Sequence, residues 1–324
     1  MGRGTTLVEV ALLGRAPFGC AINTLSQCLM DPRLDIPILD SVAECLKALT
    51  LAQETLCPED LPTFYHPGTL REICNLRQYC IEREAKGQLD PVDQWIRMVA
   101  LNRLIGYSPG FFLVYSLLSN QVVSVQSQRK ITEKRQQVLP RRFVLDLILK
   151  KSKCLLGSGE AAFCDGVRAV GDRAIILTQL AHVALEISDG SVALVVTSPP
   201  FLDVVDYAMD NWLRCWFLGI DAREVTVTVP HRLDRWEAAM TEVFRELYRV
   251  LRPCGFVAFE VGEVRRGEIE LETSVLRCGY GAGLAPGVVM FNDQAFTKTS
   301  NCWGIDNNVK GTNTNRNVVS NKPE

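Results

Sequence analysis

The spacing of apolar residues changes several times along the chain. Val42 to Leu51 and Val92 to Leu104 repeat apolar positions at helical spacing, the second around Trp95 and Ile96, and predict helices. Residues 41–119 as a whole read as mostly helical. Thr6 to Leu13 is a short apolar helix closed by Gly14-Arg15, and Pro17 to Ile22 predicts a short strand. Helix then strand is half of a β-α-β unit, and its first strand is absent from the sequence. Ala174 to Leu177 is a short apolar run. After the Asp189-Gly190 turn, Val192 to Val196 is apolar without interruption, which predicts a strand buried on both faces in the middle of a parallel sheet. Residues 235–251 carry Trp236, Met240, Val243, Phe244, Leu247 and Leu251 along one helix side. Arg252-Pro253-Cys254-Gly255 ends that helix, and Phe256 to Val261 predicts the next strand. Alternating helices and strands imply an α/β fold. The tail from Asn301 is rich in Asn, Thr and Lys, a composition compatible with disorder.

Composition narrows the class. The 324 residues are 47% hydrophobic and 22% charged, with net charge -2, which excludes wholesale disorder and a uniformly basic binder. Twelve cysteines without a Cys-x-x-Cys pair, and three histidines (His66, His182, His231), give neither a disulfide scaffold nor a metal site. They read as scattered, reduced, mostly buried thiols of a cytosolic protein. The apolar stretches are broken by Arg103, Pro109 or Asp189, short of the roughly 20 residues a membrane span needs. The start, Met1-Gly2-Arg3-Gly4-Thr5-Thr6, formally matches a myristoylation signal, but the same glycines have a better use below.

Charge is uneven. From Arg129 to Lys153 there are nine Lys/Arg against Glu133 and Asp146. Arg129, Lys130, Lys134, Arg135, Arg141 and Arg142 are therefore candidate contacts for a polyanion. A solvated helix face is the plain alternative.

The most informative string is Thr197-Ser198-Pro199-Pro200-Phe201, directly after the apolar strand and so at the carboxyl edge of a sheet, where open α/β folds bind ligands. Two prolines remove two N–H donors and fix φ twice. Rigid carbonyls, the Ser198 hydroxyl and the Phe201 ring suit a small planar ring bearing an exocyclic amine. The alternative is a rigid turn with a core phenylalanine.

Ser-Pro-Pro-Phe after a buried strand resembles the catalytic motif of DNA amino-methyltransferases, the site-specific enzymes that methylate cytosine N4 or adenine N6; the serine form is similar to the cytosine-N4 branch. Gly2-Arg3-Gly4-Thr5-Thr6 is similar to the second half of that family's cofactor loop, and Ile22-Asn23-x-Leu25-Ser26 follows it. Glu246 to Gly255 is similar to the helix-to-strand junction of class I methyltransferases. Phe296 to Gly304 and Lys310 to Arg316 look like the C-terminal part of the bacterial site-specific enzymes, which favours ordered, DNA-facing structure over a floppy tail.

The resemblance implies a class I, Rossmann-like mixed sheet flanked by helices, with a mostly helical insertion and the first strand lacking, as in a chain truncated at its N-terminus. Its parts would be 1–50, the start of the cofactor domain; 51–170, the insertion for target recognition; and 171–324, the catalytic half. It implies S-adenosylmethionine as cofactor, held by Gly2, Gly4, Thr5, Thr6, Asn23 and Thr197. Ser198, Pro199, Pro200 and Phe201 would form the catalytic corner, with no metal. Double-stranded DNA and a cognate restriction endonuclease would be partners, in a bacterial cytoplasm at the nucleoid. Asp203, Asp206, Tyr207, Asn211 and Trp212 would line the pocket or serve as a structural helix face. The family usually ends its second strand with an acidic residue; that position is Ala21. Alternatives are a catalytically inactive DNA-binding remnant, an adenine-N6 enzyme, or an RNA guanine-N2 enzyme.

Overall fold

The computed structural model describes residues 2–106, 108–116, 122–157, 161–199, 202, 207–225, 232–262, 264, 269–293 and 314–324. They form a mixed α/β structure. The first half holds α1 (Thr5–Leu12), β1 (Phe18–Ala21), α2 (Thr24–Leu34), α3 (Leu39–Ala48), α4 (Pro67–Ala85), α5 (Pro91–Arg103), α6 (Val125–Arg135), α7 (Val144–Leu156) and α8 (Ala161–Gly171). The second half holds β2 (Ile175–Thr178), β3 (Val192–Thr197), α9 (Tyr207–Leu218), α10 (Leu233–Val250), β4 (Leu251–Gly262), α11 (Leu271–Gly281), β5 (Ala285–Asp293) and β6 (Thr314–Asn321).

Local chemistry sets several helix starts. Asn23 accepts from Leu25 N–H at α2, and Asp90 accepts from Asp93 N–H at α5 with Pro91 as first helical residue. His66 accepts from Gly68 N–H at α4, and Ser124 from Ser127 N–H at α6. Each satisfies a donor that the first helical turn leaves unpaired.

The strands form two sheets. β1 and β2 pair in parallel, Phe18 opposite Ile175 through Ala21 opposite Thr178. The other sheet has the order β3-β4-β6-β5, with β3 parallel to β4 and β6 antiparallel to both neighbours. Helices α10 and α11 cover one face of the larger sheet. Trp236, Met240, Phe244, Leu271 and Val275 pack there on Val257, Phe259, Val261 and Val318. A separate helical core unites α2, α3, α4, α5, α7 and α9 around Leu29, Val42, Ile73, Ile96, Ile148 and Phe217. Helices α4, α5 and α7 of the middle segment therefore share one core with α2 and α3 before them and α9 after, while α8 packs on α1 and α2 through Val167 and Val170.

Three expectations change. The Val192–Val196 run forms a strand, but not a central one. Among the described residues β3 has a neighbour on one side only, and Leu194 and Val196 are 53% and 48% exposed. Arg252 to Gly255 open β4 instead of ending α10, whose last residue is Val250. Cys254 there takes φ 58°, an unusual backbone for a side-chain-bearing residue. Finally, residues 314–321 of the polar tail are a strand inside the sheet. Val318 and Ser320 are buried, and pairing on both edges outweighs the low strand propensity of the asparagines. The remainder of the tail motif, 296–313, lies outside the described residues.

Candidate functional site

The Ser-Pro corner begins where β3 stops pairing. Thr197, the last strand residue, is opposite Phe259 of β4. Ser198 follows it, exposed, and then half-buried Pro199. Pro200, Phe201, Asp203 and Asp206 lie outside the described residues. Farther on, Trp212 of α9 stacks on Phe64, ring centroids 5.8 Å apart, and packs on the helical core, so it is a structural residue.

The other end of β3 is pinned by Arg249, near the end of α10. Its guanidinium donates to both Glu246 carboxylate oxygens at 2.7 and 2.9 Å, to Ala184 O and Ile187 O at 2.9 Å each, and it pairs with Asp189. Glu246 is buried and also accepts from Ala184 N–H at 2.9 Å. The Arg249 contact holds the Glu246 carboxyl below its usual value. Gly190 N–H donates to Arg249 O at 3.0 Å, so the turn leading into β3 is tied to α10. At about 3.3 Å per residue this anchor lies roughly 20 Å along the strand from Ser198. The sequence motif around Glu246 signals a helix-to-strand junction; the acid–base pair three residues apart on one helix is the signal of the clamp.

The residues of the expected cofactor loop do not gather at this corner. Gly2 and Gly4 take positive φ values, 53° and 79°, and α1 starts with no side-chain cap. The loop rests against the second half of α2. A methyl group on Gly4 would meet Met30 Sδ at 2.4 Å, and Arg3 O accepts from Arg33 at 2.9 Å. Asn23, the residue before α2, is about 10 Å away by helix rise. Its side chain is buried and engaged, Oδ1 with Leu25 N–H at 2.8 Å and Nδ2 with Cys215 Sγ of α9 at 3.7 Å. That contact does bring the end of β1 to the helix that follows the Ser-Pro corner. Ala21 offers no carboxylate. Among the described residues the glycine loop and the Asn23 side chain therefore have separate contacts, the loop with Met30 and Arg33 and Asn23 with Leu25 and Cys215. A separate cleft of about 350 Å³ between α2, α8 and β2 is lined by Gln27, Asp31, Asp35, Arg168 and Asp172, and contains none of the expected site residues.

The basic residues split by role. Arg129, Lys130, Lys134 and Arg135 are exposed on α6. Arg129 is loosely paired with Asp60 at 3.5 Å, and Arg135 lies over the Tyr115 ring at 3.9 Å. Arg141 is a tether: it pairs with Glu72, donates to Thr69 Oγ1 at 3.2 Å and Arg142 O at 2.7 Å, and stacks on Phe143 at 4.7 Å. Arg142 N–H and O are both bonded to Thr69 Oγ1, and its side chain is half-buried.

No protein-family model matches the chain, and no curated protein matches it significantly. Among solved structures it is similar to TTHA0409 of Thermus thermophilus, provisionally named a DNA modification methylase. Identity is 20% over 45% of this chain and 51% of that chain, with a TM-score of 0.28. A protein of Galdieria sulphuraria provisionally named a sarcosine dimethylglycine methyltransferase is 10% identical over 80% of this chain and 91% of its own, TM-score 0.28. The cyclase SpnF is 11% identical over 95% and 99%, TM-score 0.29. The chain spans about half the length of TTHA0409. No helix of the described residues is long and apolar enough to cross a membrane.

Proposed function

We propose that the chain belongs to an S-adenosylmethionine-dependent methyltransferase acting on the exocyclic amine of a nucleobase in DNA, cytosine N4 in the first instance. The observation that supports this reading is the Ser-Pro corner at the carboxyl end of a strand with a parallel neighbour. A paired, stacked base must leave the duplex to reach such a corner, at a cost of a few kcal/mol. Ser198 Oγ and the Pro199 carbonyl accept from the amine, which turns its lone pair out of ring conjugation and fixes its direction, while Phe201 stacks on the base. S-adenosylmethionine, when bound, supplies the methyl group. The exposed cations of α6 contact phosphates and fix register on the duplex.

The test is methyl transfer from radiolabelled S-adenosylmethionine to duplex DNA and to RNA, with the modified nucleoside identified by mass spectrometry. N4-methylcytosine in DNA, abolished by Ser198→Ala, is the expected result. N6-methyladenine or N2-methylguanosine reassigns the base, and Ser198→Ala with full activity refutes the corner's role. A second reading, a non-catalytic nucleic-acid-binding protein on the same scaffold, is favoured by one observation: the glycine loop lies against Met30 and Arg33 instead of beside Asn23. Calorimetry separates the two, since retained DNA binding without S-adenosylmethionine binding supports the second.

A further inference from the structure

Twelve cysteines look scattered along the sequence, but the fold brings two of them together. The connection between α3 and α4 is anchored by Leu51 and Leu61, both buried in the helical core. Between these anchors residues 52–60 are exposed, except for half-buried Thr55 and Cys57. Cys57 packs against the helical core, and its thiol donates to Thr55 O at 3.6 Å. Cys74, on α4, is a buried member of the same core.

Three contacts lay this connection along one face of α4. Arg71 pairs with Glu54 at 3.5 Å, Asn75 Nδ2 donates to Gln53 O at 3.0 Å, and the Cys57 and Cys74 thiols share a hydrogen bond. Positions 71, 74 and 75 are neighbours on a helix surface, so the three contacts agree on one placement of the loop. The Arg71–Glu54 pair is exposed and adds little. The Asn75 bond comes from a buried side chain and sits one residue from Cys74. Burial, and then the neighbouring Cys57 sulfur, push the Cys74 thiol well above its ordinary value. Cys74 therefore stays protonated and screened from solution, whereas Cys57 lies between exposed Leu56 and Pro58. A dissolved reagent meets Cys57 before Cys74.

From this geometry we infer that Cys57 and Cys74 are an oxidation-sensing pair that closes into a reversible disulfide. The oxidant is a small disulfide such as oxidised glutathione. The Cys57 thiolate attacks one of its sulfurs, the S–S bond breaks, and one glutathione leaves with the proton that Cys57 gave up. Cys74 then attacks Cys57 Sγ in the mixed disulfide, and the second glutathione leaves with the Cys74 proton. Two protein thiols are oxidised and one glutathione disulfide is reduced to two thiols. The new bond closes a ring of chain from Cys57 to Cys74. That ring holds the short 3-10 turn Leu61–Thr63 and Phe64, whose side chain stacks on Trp212 of α9. Closing it restrains the unfolded chain and so stabilises the helical core. The pair stands apart from the Ser-Pro corner, and its oxidation requires no methyl transfer.

The test equilibrates the full chain in glutathione buffers from wholly reduced to wholly oxidised, quenches in acid, and blocks the remaining thiols with N-ethylmaleimide in denaturant. Peptide mapping without reductant should find Cys57 joined to Cys74 within one chain, and dithiothreitol should reverse the link. The linked chain should melt about 5 °C above the reduced one, and this rise should be absent in Cys57→Ser. Glutathione should remain on Cys57 in Cys74→Ala, whereas Cys74 should stay unmodified in folded Cys57→Ser. Should Cys74→Ala fail to fold, the map of the unaltered chain and the Cys57→Ser result decide alone. A link between two chains, oxidation confined to other cysteines, Cys57 still free in the most oxidising buffer, or a linked chain that melts no higher than the reduced one would each overturn the proposal.

Discussion

Replacing Arg249 with alanine removes the clamp that ties the turn before β3 to α10. The guanidinium makes two bonds to Glu246, two to backbone carbonyls and an ion pair with Asp189. In Arg249→Ala the Glu246 carboxylate stays buried and keeps, among the described residues, the Ala184 N–H as its hydrogen-bond donor. Breaking a buried pair from one side costs about 3–5 kcal/mol. The arginine side chain is 26% exposed, so water reaches the orphaned carboxylate from that side, and the expected loss is at the low end, about 3 kcal/mol. With a urea slope of about 3 kcal/mol/M the midpoint falls by about 1 M. The loss depends on pH. Glu246 is held below its usual value of 4.5, so its contribution is complete above that unfolded value and disappears as pH falls through the lower folded one. Urea midpoints of the two proteins, far apart at pH 7, should converge below about pH 4. A loss under about 1 kcal/mol at pH 7, or a gap unchanged between pH 6 and 3, would refute the clamp as the anchor of β3.

Other outcomes follow from particular contacts. Asn23→Ala should lower stability by about 1 kcal/mol in thermal unfolding, because the Leu25 N–H at the start of α2 loses its acceptor, while Asn23→Asp keeps the cap and most of the stability. Among the cysteines of the described residues, alkylation at pH 8 followed by peptide mass spectrometry should label exposed Cys154 and Cys254 first. Burial pushes the thiols of Cys28 up to about 11 and of Cys80 up to about 12, so both should resist until the chain unfolds. Lys130→Ala and Lys134→Ala should each reduce the salt dependence of DNA binding by about one unit of slope without changing the melting temperature. Arg141→Ala should instead lower the melting temperature, since its guanidinium holds Glu72, Thr69 and the Arg142 carbonyl together.

Where hydrophobic period was unambiguous, sequence and structure agree closely. The amphipathic stretch at 235–251 is α10, and the apolar runs at 174–177, 192–196 and 256–261 fall on β2, β3 and β4. Short-range pattern decides these elements because each buries its own apolar side. Position within a sheet is different, being a property of neighbours far away in the chain. The same apolar run that marks β3 as a strand suggested a central place, and the ladder gives it an edge. β6 was hidden for the opposite reason: Asn315, Asn317 and Asn321 disfavour strands alone and are held there by β4 and β5. Of the candidate site, the place of Ser198 and Pro199 directly after a strand was legible, because they follow an unbroken apolar run. The capping role of Asn23 and the tether made by Arg141 were not, since both depend on partners from remote segments, Cys215 for one and Glu72 for the other.

The placement of β6 has a consequence for how the chain is made. Among the described residues, β5 touches the sheet only through β6, whose last residue is Asn321. Lys322 then fastens the ladder, donating to Tyr248 O and Leu251 O at 2.9 Å each. A nascent polypeptide therefore cannot close this sheet until residue 321 has cleared the ribosome exit tunnel. β5, complete at Asp293, stays without its ladder partner until β6 has followed it out.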